Sequence, residues 1–300
     1  MMRKEHALTR SHARHGNVHD SLPSCADVTE QQGRHRPTGR TTARTRTRLI
    51  GSVAIGATLI VGALQQAQAQ KAGDLIIGTG WLHVAPQVST GPMNTNGNLA
   101  TPLGPMPFSR SDGAATAGVS AANTIGLTAT YFITDHIAAE TVAGLPPKFN
   151  INGTGTNTPF GKIGSARMWS PTLLLKYYFR QPTAKLRPFI GVGVTYVWFT
   201  GAQITNGEFS RTKLYGDTSV HASRGFAPVF NAGLSYNVDK NWFVGASISY
   251  IPLASTLTMN TPNMRNVPTP SGARVSGSST TTVRARLNPI VTYVNIGYRF

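Results

Sequence analysis

Cysteine is nearly absent: the 300 residues hold one, Cys25. That excludes an internal disulfide framework and any Cys-rich zinc centre. Charge is also scarce. Asp, Glu, Lys and Arg make up 13% of the chain, about half the share usual in soluble domains. Acids are the scarcer sign, 11 against 28 Lys and Arg, giving a net charge of +17. Long hydrophobic runs are missing save one of 16 residues, 49–64. A membrane helix needs about 20, so a bundle of membrane helices is excluded.

Aromatic residues are absent from the first 80 positions; all 25 lie beyond them. Residues 1–48 carry five of the eight histidines and ten of the 28 basic residues. Without large apolar groups such a stretch cannot bury enough surface to offset chain entropy, and it reads as a disordered basic extension. Arg44, Arg46 and Arg48 then precede the apolar run, and Ala67 and Ala69 follow it. Basic start, apolar helix and small residues form a secretory signal over 49–69, with cleavage between Ala69 and Gln70. The competing reading is an uncleaved inner-membrane anchor. Residues 1–48 are long for a signal start, so either the leader is extended or translation begins further in. No apolar run precedes Cys25, as a lipoprotein attachment site would require.

The remaining domain, residues 70–300, keeps 18 basic and seven acidic residues. They are spread singly, near turns and loops. No helix carries a basic stripe and no recognition-helix or zinc-finger pattern occurs, so nucleic acid is not the expected partner. Anionic lipid headgroups fit this charge better.

What is present is alternation. Ile125, Leu127, Ala129, Tyr131 and Ile133 alternate with Gly126, Thr128, Thr130 and Phe132. The same period of two runs through 171–179, 190–198, 230–238, 244–250 and 290–300, and more weakly through 75–85 and 136–149. Period two means strands. The second face is mostly Gly, Ser, Thr and Asn rather than charged. Tyr131, Trp169, Tyr177, Trp198, Tyr236, Trp242, Tyr250 and Tyr298 gather near strand ends, as in the aromatic girdles of a barrel in lipid. Backbone groups in lipid must all be paired, so the sheet must close. Connections alternate in length: 134–136, 180–185 and 238–241 are tight, whereas 87–121, 150–165, 201–223 and 259–282 are long. These features predict an all-β fold, an eight-stranded antiparallel up-and-down transmembrane β-barrel with short periplasmic turns and long external loops.

Four segments carry a family resemblance: N-T-I-G-L-T-A-T-Y-F-I-T-D-H-I (123–137), L-R-P-F-I-G-V-G-V-T-Y (186–196), G-L-S-Y-N-V-D-K-N-W-F-V (233–244) and N-I-G-Y-R-F (295–300). In this order they resemble the OmpW family of small outer-membrane proteins of Gram-negative bacteria. The resemblance covers most of 73–300. It implies an outer-membrane location and a narrow apolar channel for passive passage of small hydrophobic solutes. The leader is longer than the family's, and the first and last long loops carry extra Gly, Pro, Ser and Thr, so family loop contacts do not transfer.

On the inward phase, Phe132, Leu174, Tyr178, Phe189, Val197, Phe199 and Phe243 are candidates to line the lumen. The competing reading is packing, since a barrel of eight strands is narrow and normally filled by side chains. Lys176 faces inward too, where it needs an acid or water. Phe300, Tyr298 and Ile296 share the outward face of the last strand, which would present them to the barrel assembly machinery. An enzyme would need a nucleophile and a base in hydrogen-bond reach. Of His83, His136 and His221, only His221 shares a long loop with acids, Glu208 and Asp217. These three read as solvated loop charges rather than as a catalytic or metal site. The glycines at 191, 193, 233 and 245 lie within strands and form no phosphate loop. No catalytic residue, metal or cofactor is expected. A non-transporting receptor, adhesin or stabilising barrel is the alternative function, and the oligomeric state is left open.

Overall fold

A computed structural model describes residues 70–300. The basic extension, Cys25, the signal helix, Ala67 and Ala69 lie outside the described residues. The strands are β1 (Leu75–Ala85), β2 (Ser89–Thr90), β3 (Met93–Thr101), β4 (Gly104–Asp112), β5 (Ala115–Val119), β6 (Ala122–Phe132), β7 (Ile137–Gly144), β8 (Lys148–Gly155) and β9 (Lys162–Trp169). They continue as β10 (Thr172–Tyr178), β11 (Leu186–Ile204), β12 (Ser219–Ala222), β13 (Gly225–Asn237), β14 (Trp242–Tyr250), β15 (Ala254–Pro268), β16 (Arg274–Arg286) and β17 (Ile290–Arg299).

Eight of them form a closed antiparallel barrel in the order β1, β6, β7, β10, β11, β13, β14, β17. It closes where β17 returns to β1, from Ile76 opposite Arg299 to Ala85 opposite Ile290. The alternation sets the two faces: Ile125, Leu127 and Tyr131 are exposed outward, while Thr128, Thr130 and Phe132 are buried inside. With each of these eight strands paired on both sides, the barrel leaves no open edge to lipid. Inward glycines make room for inward rings. A Cβ on Gly297 would collide with the Phe243 ring, and one on Gly233 with the Phe189 ring.

The sheet continues beyond the barrel. β11 has 19 residues, where about 9–11 cross a bilayer. Its first part pairs with β13, up to Val197 opposite Gly225, and its outer part with β9, from Trp198 opposite Trp169. The long connections expected as loops are thus largely strand. β5, β8, β9, the end of β11, β12, β15, β16 and β2 form an outer annulus. The Ala117 amide donates to Thr90 Oγ1 at 3.3 Å, which brings β5 to β2. The β3–β4 hairpin stands beside β16.

Proline separates barrel from annulus. Pro86, Pro147, Pro171, Pro252 and Pro289 all stand between a barrel strand and its outer continuation. Each lacks an amide to give the ladder, so the strands are interrupted at these five places, while β11 runs through unbroken. This also ends the weak strand expected over 136–149 at Gly144, before Pro146 and Pro147.

Candidate functional site: a divided apolar interior

The interior is built in layers. At the end with the short turns, Arg187 is fully buried. Its Nη1 donates to the Gln70 carbonyl at 2.9 Å and to Gln70 Oε1 at 3.2 Å, its Nε to the Arg180 carbonyl at 3.0 Å, and its Nη2 to the Asp135 carbonyl. The guanidinium lies 4.9 Å from the Tyr178 ring centroid and 5.6 Å from that of Phe132. Ile76, Phe132, Ala138, Tyr178, Phe189 and Phe243 pack around it. Gln70 Nε2 reaches across to Ser235 Oγ at 2.8 Å. A buried guanidinium is tolerable because its donors meet carbonyl and amide oxygens and its flat faces meet rings. Together these groups fill the base of the barrel.

Above the base lies an ion pair, Lys176 Nζ to Glu140 Oε1 at 2.6 Å, with both side chains buried. Thr130 Oγ1 donates to Glu140 Oε2 at 2.8 Å, and the ammonium stands 4.3 Å from the Phe189 centroid. Lys176 thus finds its acid on the neighbouring strand. The space left beside the pair is about 20 Å³, room for about one water.

Higher still is a cavity of about 280 Å³. Glu140 and Asn231 line its floor; Leu174, Val229 and Tyr293 line its walls. The same cavity reaches Leu145, 65% exposed, and Trp169 on the outer surface. It passes through the gap where β7 and β10 part company beyond Val142 opposite Thr172. Pairing resumes at Lys148 opposite Arg167. Between them, Pro146, Pro147 and Pro171 supply no amide, and a bond from the Met168 amide to the Pro147 carbonyl, 3.3 Å, spans the gap. The result is a side opening in the barrel wall at the level of the proline ring.

Val84, Phe149, Met168, Leu174, Val197, Val229 and Ile251 form an apolar waist above this cavity. Beyond the waist is a second cavity of about 130 Å³ within the annulus. Met93, Phe149, Ile163, Phe199 and Met259 are among its almost wholly apolar lining, and Met168 lines both cavities. A helical turn roofs it: Asn206 Oδ1 caps the Phe209 amide at 2.9 Å, and Phe209 and Leu214 turn inward, fully buried.

The candidate lumen residues therefore fall at three heights. Phe132, Tyr178, Phe189 and Phe243 pack in the base, Leu174 and Val197 in the waist, and Phe199 at the outer cavity. Gln70, the first residue after the expected cleavage, is part of the base. Phe300, Tyr298 and Ile296 point outward; the Phe300 amide donates to the Leu75 carbonyl at 3.0 Å, and the rings of Tyr298 and Phe300 lie 5.0 Å apart. Glu208, Asp217 and His221 are exposed. Among the described residues no three His, Cys, Asp or Glu side chains gather as metal ligands. His136 Nδ1 is 2.7 Å from the Tyr178 carbonyl, and His83 Nδ1 is 2.7 Å from Asn123 Oδ1. Arg187, Glu140, Met168 and Phe209 escaped the sequence reading. The first two lie on the inward phase of their strands and were legible there. Phe209 sits in a connection without period, and nothing local marks it.

Comparison with known proteins agrees with this architecture. The model of the OmpW family matches residues 71–300. Outer membrane protein W of Salmonella typhi is 32% identical over 176 residues, 59% of this chain and 72% of that protein. Its namesake from Vibrio cholerae is 27% identical over 234 residues, 77% of this chain and 91% of that protein. The crystal structure of the outer membrane protein OprG from Pseudomonas aeruginosa superposes with a TM-score of 0.61 at 25% identity, covering 78% of this chain and 98% of that one. A closed eight-stranded barrel and a match from end to end of the described residues show that this chain belongs to the OmpW family of Gram-negative outer-membrane proteins.

Proposed function

We propose that this barrel is a passive channel for small hydrophobic solutes, which enter the outer cavity, pass the waist and leave sideways into lipid. The observation that carries the reading is the pairing of a filled base with an opening in the wall. A solute in the cavity of about 280 Å³ meets a buried ion pair and an Arg-aromatic plug below. The low-polarity route leads past Leu145 and Trp169. Transfer along it keeps apolar surface out of water from the outer cavity to the membrane core. No step requires bond chemistry, so the reading assigns no catalytic role.

Proteoliposomes holding the purified barrel test it through uptake of a small hydrocarbon. Met168→Trp fills the junction of the two cavities. Its uptake is expected to fall several-fold, while the band still shifts on boiling in detergent gels. Undiminished uptake by a folded Met168→Trp barrel contradicts the route. A surface-binding role is the second reading. It is favoured by the polar sheet of β4, β3, β16 and β15, which exposes Asn96, Asn98 and Thr280. Lack of hydrocarbon uptake by the unaltered barrel would favour the surface-binding role.

The same reading places 70–300 as the mature domain, with the residues before it removed on export. N-terminal sequencing of the outer-membrane band is expected to begin at Gln70. A band beginning upstream would replace cleavage at Ala69 with a retained leader.

A further inference from the structure

The charge of the described chain is sorted by height. The segments beyond the proline ring carry eleven basic and three acidic side chains, a net of +8, out of 18 and seven for residues 70–300. Those acids are Asp112, Glu208 and Asp217, and Asp112 is taken by Arg110 at 3.7 Å and Lys213 at 4.0 Å. Lys148 and Arg167 stand directly opposite each other on β8 and β9, both exposed. Among the described residues no carboxylate lies within 4.0 Å of either. Like charges directly opposite on paired strands repel, so the register is costly unless an anion sits between them.

Their height says which anion. Arg167 is two residues outward from Trp169, and its other neighbour across the sheet is Thr200, two outward from Trp198. Trp169 and Trp198 stack with centroids 5.7 Å apart and planes 2° apart. Such rings mark the membrane–water interface. The two cations therefore stand one strand repeat above it, about 7 Å, at the level of lipid headgroups. They also flank the side opening, since Pro147 and Met168, which line it, adjoin Lys148 and Arg167.

We propose that Lys148 and Arg167 bind a phosphate of the phosphorylated glycolipid in the outer leaflet, with Thr200 Oγ1 as an added donor. Arg supplies a two-pronged donor and Lys a point charge, a common pairing for phosphate. A lipid held there rests its acyl chains beside Leu145 and Trp169. If the barrel carries solutes, that lipid is the neighbour into which they emerge. The phosphate site itself does not depend on transport.

Native mass spectrometry of the full barrel in neutral detergent tests the site, with bisphosphorylated lipid A, dephosphorylated lipid A and inorganic phosphate as probes. Lys148→Gln/Arg167→Gln is expected to weaken bisphosphorylated lipid A binding about tenfold. Arg284→Gln/Arg286→Gln removes the same charge elsewhere on the outer side and is expected to leave that binding within about twofold. Dephosphorylated lipid A should bind both variants alike. An equal loss in the two double variants would reveal a diffuse charge effect and overturn the site. So would unchanged binding in Lys148→Gln/Arg167→Gln. Competition by inorganic phosphate at concentrations comparable to the lipid would reassign the pair to a free anion. Hydrocarbon uptake into neutral phosphatidylcholine vesicles, which lack this lipid, should be the same for Lys148→Gln/Arg167→Gln and the unaltered barrel. Loss there bears on the channel and not on the lipid site.

Discussion

Lys176 and Glu140 show how one residue's placement sets the character of the interior. Each is buried, and each is made tolerable by the other and by Thr130. Removing one partner leaves a charge in a site with room for about one water. Lys176→Met should therefore destabilise the barrel by about 3–5 kcal/mol, and Lys176→Met/Glu140→Leu should recover most of that loss. Urea unfolding followed by gel mobility separates the two, and a double variant as weak as the single one would contradict the pairing. The inward phase of Lys176 was readable from its strand, and so was its need for an acid. The inward place of Glu140 on β7 was legible too, but its pairing with Lys176 was not, because alternation within a strand does not fix the register between strands. Choosing among the domain's seven acids required the register that sets Glu140 opposite Leu174, diagonal to Lys176.

At the scale of elements, the strands were legible and the connections were not. β6, β10, β13, β14 and β17 follow from alternation because lipid on one side and a narrow interior on the other enforce opposite residue types. Beyond the prolines the outward face meets water, and the inward face is packed with apolar residues at some positions only. Small polar residues then suit either face, so the outer halves of β11, β15 and β16 read as loops. No periodicity marks the five prolines in the sequence, so their shared place between barrel strands and outer strands emerged once the strands were aligned. β17 closes the ring between β14 and β1, so barrel closure depends on it. Phe300 is 73% exposed and contributes no core packing, yet its amide pairs with β1 and its ring meets Tyr298. Deletion of Phe300 is expected to lower the yield of heat-shifting barrel in the outer membrane, with little change in the unfolding midpoint of what does assemble. Normal yield would show that the exposed ring plays no part in assembly.

At the scale of the whole molecule, polarity is graded from end to end. The base is closed by Arg187, Gln70 and four aromatic rings; the middle holds one ion pair and a side opening; the outer part encloses an apolar cavity under Phe209. A straight polar pore would place its least polar part elsewhere. On the proposed route an apolar solute travels from the outer cavity to the wall and not to the base. Photolabelling measures this directly, with a small photoreactive hydrocarbon added to reconstituted barrels and the labelled residues mapped by peptide mass spectrometry. Labels are expected at Met168, Leu145 and Trp169 and at the outer-cavity residues Phe199 and Phe209, with none at Gln70, Asp135 or Arg187. Labels at those three base residues would mean that solute crosses the plug, and the sideways route would be wrong.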